Sequence, residues 1–363
     1  MAKSAAFVHS LCRPIKLIFS KETTDFTTSE TNKVLEKASQ LLPTLCDNRG
    51  SQISVKHNLL LTMADGKVCN ALTGTLSSQK CYICGATPKL MNGELKDVVV
   101  KKKHYSLGLS TLHAWIRSFE CMLHICYCLD IKKWQAKSDI EKASVKQRSE
   151  EVRQKFKNQM GLIIDTPKPG YGNSNDGNTA RRFFMNPDLS GGITGLDINL
   201  IKNFSILLRT LSSGYDINCN KFENLCSKTR TLYLNLYSWY YMPVTVHKIL
   251  VHSTEVIRTC ILPIGQLSEE SQEARNKDCR RFPRKQSRIA TNIDLLHMLL
   301  IISDPVINSL RKVPKKRTDK LPVEVLNLIV QPSILSKVPR QVTCDHDGKD
   351  YVVSDSDESN SDD

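Results

Sequence analysis

The sequence predicts an α+β chain that is mostly helical, with a short α/β portion in its first 65 residues and helices from about residue 108 onward. Three observations carry that prediction. RPIKLIFSK (13–21) has a β-rich apolar centre, and SQISVKHNLLLTM (51–63) alternates apolar and polar residues as a half-buried strand does. STLHAWIRSFECMLHICYCL (110–129) sets Leu112, Trp115, Ile116, Phe119, Met122, Leu123 and Cys126 on one apolar face at helical spacing. Ser138-Asp-Ile-Glu141 is a capping box, which opens a strongly charged helix that fades near Met160-Gly161.

The remaining elements come in chain order. TSETNKVLEKASQLLPTLC (28–46) has helical spacing through Val34, Leu35, Ala38, Leu41 and Leu42. The strand of residues 51–63 closes on Ala64-Asp65-Gly66, which puts an aspartate at a strand end. TPKPGYGNSNDGN (166–178) is a loop whose Gly, Pro and Asn call for turn geometry. Helices fit 197–213, with Asp197 as N-cap and Gly214 as stop, and 220–241. Pro243 can occupy the first position of another. After Leu321 the signal weakens into a tail ending SDSDESNSDD, expected to be disordered.

Charge narrows the partners. The 363 residues carry 51 Lys+Arg and 37 Asp+Glu, a net charge of +14. The last 21 residues hold eight acids and one lysine, so the body before them stands at +21. A body that basic points to a polyanion. No apolar run reaches the roughly 18 residues of a membrane span, and no secretory cleavage pattern opens the chain, so a soluble intracellular protein without a membrane partner is expected. Thirteen scattered cysteines lack the spacing of a disulfide framework and read as thiols, any close pair being a metal candidate.

Two groups of residues can carry chemistry. Cys81-Tyr-Ile-Cys84 has the spacing by which two thiolates reach one zinc from a tight turn, and His247-Lys-Ile-Leu-Val-His252 has a histidine spacing seen at zinc sites. The 162 residues between Cys84 and His247 exclude a small zinc finger. A shared metal would join distant segments and be structural, since four protein ligands leave no open position. Two core thiols and two partly exposed helical histidines fit the spacing equally well. Asp65 and Glu273 are the acids that two-metal phosphoryl transfer would use, one at a strand end and one on a covering helix, QLSEESQEARNKDCRRF. On the residues alone, an Asp-Gly turn residue and a solvated helix glutamate explain them better. Basic clusters stand at Lys101-Lys-Lys103, Arg181-Arg182, RRFPRKQSR (280–288) and RKVPKKR (311–317), suited to phosphate, to a solvated face or, for the last, to nuclear import.

Taken in order, MADGKVCNALTGT, CYICGATPK, WQA at Trp134, QMGLIIDTPK, GNTARRFF, HKILVH and EARNKDCRRF resemble the Transib transposases and the catalytic subunit of the RAG recombinase, over about Leu11 to Arg317. The resemblance implies a partial RNase H-like α/β core, interrupted by a large all-helical insertion and stapled by zinc. By motif, Asp65 and Glu273 match the family's second and third catalytic acids, which hold Mg²⁺. Cys81, Cys84, His247 and His252 match its structural zinc ligands, and Arg181, Arg182, Lys277, Arg280, Arg281, Arg284 and Lys285 its DNA contacts. Residues 1–100 and 246–320 would form the core, 101–245 the insertion and 321–363 an acidic flexible tail.

There are departures from the family pattern. The first catalytic acid belongs upstream of RPIKLIFSK, and the dozen residues before that segment hold no Asp or Glu. The segment after Arg281 is shorter than the pattern, and Cys279 replaces a large apolar residue. The expectation is therefore a transposon-derived, nuclear protein of transposase or recombinase type. Its partners would be double-stranded DNA and a second copy of itself. As this chain it would not cut, because two acids cannot fix two cations; the alternative is a domesticated, non-enzymatic DNA- or chromatin-binding protein.

Overall fold

Helix α1 (Thr24–Ser39) begins where the Thr23 side chain accepts a hydrogen bond from Phe26 N at 3.2 Å. It ends at Ser39, because Pro43 cannot continue a helix through Leu41 and Leu42, and both leucines are exposed. The helix expected at 28–46 thus lies four residues earlier at its start and seven earlier at its end. The chain then forms an antiparallel hairpin, β1 (Thr44–Asn48) and β2 (Ser51–Val55), closed by Gly50 at φ +87° and by Gly50 N donating to Asp47 at 2.8 Å. Every residue of both strands is exposed. In this computed structural model the described residues are 18, 20–48, 50–60, 64–95, 98–168, 172–270, 292–302, 304 and 321–330. RPIKLIFSK falls almost wholly outside them, as does everything from 331 on.

The described chain is mostly helical, as expected. The sheets among the described residues are two two-stranded ribbons, β1–β2 and the minimal β3 (Pro167–Lys168) with β4 (Gly172–Asn173). Helix α2 (Gly66–Thr73) packs on α1, and the short α3 (Pro88–Met91) comes next. The core gathers around α4 (Thr111–Tyr127), against which α5 (Asp139–Met160), α6 (Gly177–Met185) and α8 (Ile198–Leu211) lie, with α7 (Pro187–Thr194) beneath α8. Trp115 and Phe119 of α4, Phe156 of α5, Phe183 and Phe184 of α6 and Phe204 of α8 are all buried. Their rings touch in series: Phe119 to Phe183 at 5.1 Å, Phe183 to Phe184 edge-on at 4.9 Å, and Phe183 to Phe156 at 5.9 Å.

The caps expected from the sequence are present where their chemistry is local. Ser138 and Glu141 form the capping box of α5, Gly161 ends it at φ +60°, and Asp197 caps α8 by accepting from Leu200 N at 2.8 Å. Helix α9 (Cys219–Tyr237) starts at Asn218, and Pro243 is the N-cap of the next helix rather than its first residue. At the head of the expected tail, α13 (Val323–Leu326) docks instead. Val325 is buried, and Ile217 pairs with Ile329 through Asn218 N to Leu328 O at 2.8 Å and Val330 N to Asp216 O at 2.7 Å. An uncharged run, Val325 to Val330, supplies the apolar side chains this docking needs. Between these ends, α12 (Asn292–Ile302) is strongly apolar. Among the described residues, no helix is long and apolar enough to cross a membrane.

Candidate metal centre and adjoining cleft

Cys81 and Cys84 sit on a loop that turns back on itself. Gly85 N donates to Cys81 O at 2.7 Å, Cys81 N donates to Ala86 O at 3.0 Å, and Gly85 adopts φ +71°, a conformation that favours glycine. Lys101 N donates to Ile83 O at 2.8 Å and the Tyr82 hydroxyl to Gly108 O at 3.2 Å, so the loop is also held by the segment that leads into α4. Opposite stand α10 (Val244–His247), a π turn (Lys248–His252) and α11 (Ser253–Thr259), which form one continuous rod.

The π turn solves a geometric problem. Residues five apart on an α-helix are rotated by about 500°, leaving their side chains about 140° apart. Widening one turn to the i→i+5 pattern brings them onto one face. His247 and His252 accordingly meet, with ring centroids 5.0 Å apart and planes at 82°. His247 Nε2 lies 3.3 Å from Cys84 Sγ, across 163 positions of sequence. One donor atom from each of Cys81, Cys84, His247 and His252 falls within 4.8 Å of all the others, and all four residues are buried.

This donor set fits a tetrahedral metal. Zn–S and Zn–N bonds of about 2.3 and 2.0 Å give a tetrahedron with edges near 3.5 Å, which a 4.8 Å envelope accommodates with small adjustments. His252 Nε2 and His247 Nδ1 are buried with no hydrogen-bond partner among the described residues, a costly state for ring nitrogens unless one on each ring serves a metal or bound water. The electrostatics point the same way. Hydrogen bonding from Cys84 pulls the Cys81 thiol down toward thiolate, against burial and with help from both histidines, while the same contact pushes Cys84 up. Burial pushes His247 down, so its imidazole is neutral and able to ligate. A cation would remove the remaining thiol proton outright. The buried Cys₂His₂ cluster could therefore hold a metal such as zinc, and its two histidines are buried rather than partly exposed.

Neighbouring contacts that the sequence did not announce reinforce the junction. Asn92 donates through Nδ2 to Tyr240 O at 2.8 Å and accepts from Met242 N at 2.7 Å, while Arg230 donates to Gly93 O at 2.8 Å. Nothing in the pattern around Asn92 marks it, since its partners are backbone atoms about 150 positions away.

Asp65 lies elsewhere than expected. Strand β2 ends at Val55, and Asp65 is the N-cap of α2, where its carboxylate accepts from Lys67 N. Its Asp-Gly sequence is a helix start and not a strand end. Asp65 belongs to no group of three or more candidate metal ligands among the described residues. It does line a cleft of about 870 Å³, together with Tyr82, His113, Trp134, Tyr241 and Lys248. Glu273, Lys277, Arg280, Arg281, Arg284 and Lys285 lie outside the described residues.

The two expected DNA contacts within the described residues are tied internally. Arg181 pairs with Glu270 and lies 5.6 Å from the Trp115 ring centroid, and Arg182 donates to Met160 O at the end of α5. Lys101, Lys102 and Lys103 are exposed. The acid that the structure singles out is Glu269, which no local pattern distinguishes from its neighbours. Half-buried at the start of α4, its carboxylate accepts from Ser110 Oγ, from Leu112 N at 3.1 Å and from His113 N at 3.4 Å.

His113 and Glu269 shape each other's titration. The bond to Glu269 raises His113 against burial. Burial pushes Glu269 up, but the hydrogen bonds from His113 and Ser110 outweigh it and hold the carboxyl below its ordinary range. His113's contribution is complete below its ordinary value of 6.5 and is lost as pH rises through its raised value. Glu269's is present above 4.5 and is lost as pH falls through its lowered one. The stability lost on His113→Gln is expected to be greatest near about pH 5–6 and to shrink toward pH 8–9. Urea melts of both proteins across that range check this, and a pH-independent difference would refute the pairing.

The chain matches no protein-family model and no curated protein.

Proposed function

We propose that this chain is a transposon-derived DNA-binding protein of the Transib/RAG class, in which one zinc ion ties together the two segments of an RNase H-like core that flank the helical insertion. One observation carries the reading: four residues that the resemblance assigns to a single zinc site, two near residue 82 and two near residue 250, converge in one buried cluster. Two core thiols and two unrelated histidines had no reason to meet across 163 positions.

In this reading Cys81, Cys84, His247 and His252 hold the zinc, which supplies cross-linking and no reaction chemistry. Asp65 and Glu273 are the relics of a Mg²⁺ site. Two carboxylates do not fix a cation pair for in-line attack on a phosphodiester, so these 363 residues bind DNA without cutting it. The body at +21 supplies the attraction, from exposed lysines such as Lys101 to Lys103 and from the clusters at 280–288 and 311–317. A nuclear location and pairing of two copies belong to the same proposal.

Metal analysis of the purified protein is expected to give one zinc per chain, lost in Cys81→Ser and in His247→Ala. Affinity for duplex DNA, followed by fluorescence anisotropy, is expected to fall steeply with salt and to be nearly unchanged in Asp65→Ala. Salt-independent binding would refute the DNA reading. Cleavage of DNA with Mg²⁺, abolished by Asp65→Ala, would refute the claim that the chain does not cut.

A further inference from the structure

We propose that Lys248 is a phosphate-binding residue, holding a backbone phosphodiester of DNA in the cleft beside Asp65. The proposal rests on the DNA-binding reading and names the group through which this cleft takes part in it.

The placement of Lys248 is set by the residues around it. His247 on one side and His252 on the other turn toward the cysteines, and Lys248, first residue of the π turn, is carried to the cleft wall with a relative exposure of only 9%. Its Nζ lies 4.6 Å from the centroid of the Tyr82 ring. That ring comes from between the two cysteines, and its hydroxyl is fixed to Gly108 O. The same junction that gathers four metal ligands therefore seats one ammonium group on an aromatic face at the edge of an open cleft.

Among the described residues, no carboxylate forms an ion pair with the ammonium. Three other basic side chains lining the cleft are paired: Lys67 with Glu22 at 2.6 Å, Arg117 with Glu120 at 2.7 Å, and His113 with Glu269. Lys248 makes no hydrogen bond or ion pair with a described residue. Asp65 shares the cleft and acts on Lys248 electrostatically, but its carboxylate caps α2 and forms no ion pair with the lysine. A zinc ion with two thiolates and two neutral imidazoles sums to zero charge, so it does not supply the missing anion. Tyr82 offers a cation–π contact, which is worth less than burying an unpaired ammonium costs. An anionic ligand entering the cleft would complete the arrangement.

The surroundings select which anion. Trp134 and Tyr241, with ring centroids 5.1 Å apart, form an apolar wall of the same cleft. A small inorganic ion leaves that wall in water, whereas a backbone phosphate brings sugar and base to it. The body at +21 favours a polyanion over a single phosphate.

The test uses the full zinc-loaded chain, duplex DNA as probe and salt titration as readout. Lys248→Met keeps the length of the side chain over Tyr82 and removes the charge. It is expected to weaken DNA binding roughly tenfold and to lower the slope of log K against log salt by about 0.9, the share of one phosphate. Lys248→Arg is expected to restore most of both. Zinc content and melting temperature confirm that each variant is folded. Should Lys248→Met fail to fold, Thr245→Glu places a carboxylate three residues away on the same wall and should weaken DNA binding where Thr245→Gln does not. Unchanged affinity and slope in folded Lys248→Met, or in Thr245→Glu, would overturn the site while leaving the DNA-binding reading intact. A wild-type chain that does not bind DNA would overturn both. Inorganic phosphate displacing DNA at millimolar concentration in wild type but not in Lys248→Met would reassign the site to free phosphate.

Discussion

Stripping any metal from the Cys₂His₂ cluster with a chelator, or replacing Cys84 by Ser, is expected to lower the melting temperature by roughly 5 °C or more. The reason is where the site stands. It joins a loop at residues 81–87 to a helical rod at 244–259, segments that meet only through tertiary structure. Structural zinc sites release on the order of 10 kcal/mol in apparent binding free energy at neutral pH, and that energy is folding energy. Part of the junction survives without metal, because Asn92 and Arg230 bridge the same segments by hydrogen bonds to backbone. Even a loss of about 3–5 kcal/mol moves the midpoint of a domain this size by about 5–10 °C. The effect carries a pH sign. Both thiols must lose their protons and both imidazoles must be neutral to ligate, so zinc is released as pH falls, and the stabilisation goes with it. Calorimetry of zinc-loaded and chelated protein at neutral and acid pH measures this. Identical melting curves would remove the metal from the account of the fold.

Phe183→Ala is expected to cost about 3–5 kcal/mol, the largest effect of any single apolar truncation proposed for this chain. Phe183 has no exposed surface, and its ring meets Phe119, Phe156 and Phe184, so deletion opens a cavity at the point where α4, α5 and α6 touch. No neighbour can collapse into that space without disturbing the other rings, which themselves belong to three helices. The midpoint of urea unfolding should fall while the slope stays the same. A loss under about 1 kcal/mol would mean that the aromatic series is not the centre of the core.

How much of this is legible in the sequence differs from element to element. The cap of α8 at Asp197 and the capping box of α5 are readable because donor and acceptor lie within three residues of each other. The apolar face of α4 is readable because burial recurs at the helical period. The first helix is misplaced by its period, because Leu41 and Leu42 continue it while Pro43 forbids it, and Thr44–Asn48 pairs as a hairpin instead. Asp65 looks like a strand end only through an alternation that as a strand stops at Val55. The pairing of Arg181 with Glu270 is invisible to local pattern, because the two lie 89 positions apart.

The amino-acid sequence by itself determined the predominance of helix, the main helix starts and stops, the basic body with its acidic end, and the two halves of a candidate metal site. These are local properties, set by spacing, capping and composition within a few residues. Only the tertiary structure decided that the two halves are one site, because it requires a π turn to align His247 with His252 and a glycine-closed loop to present Cys81 and Cys84 to them. It alone singled out Glu269 among neighbouring acids and set Lys248 on the face of Tyr82. Such choices depend on which distant groups share a low-dielectric space, and no spacing along the chain encodes that.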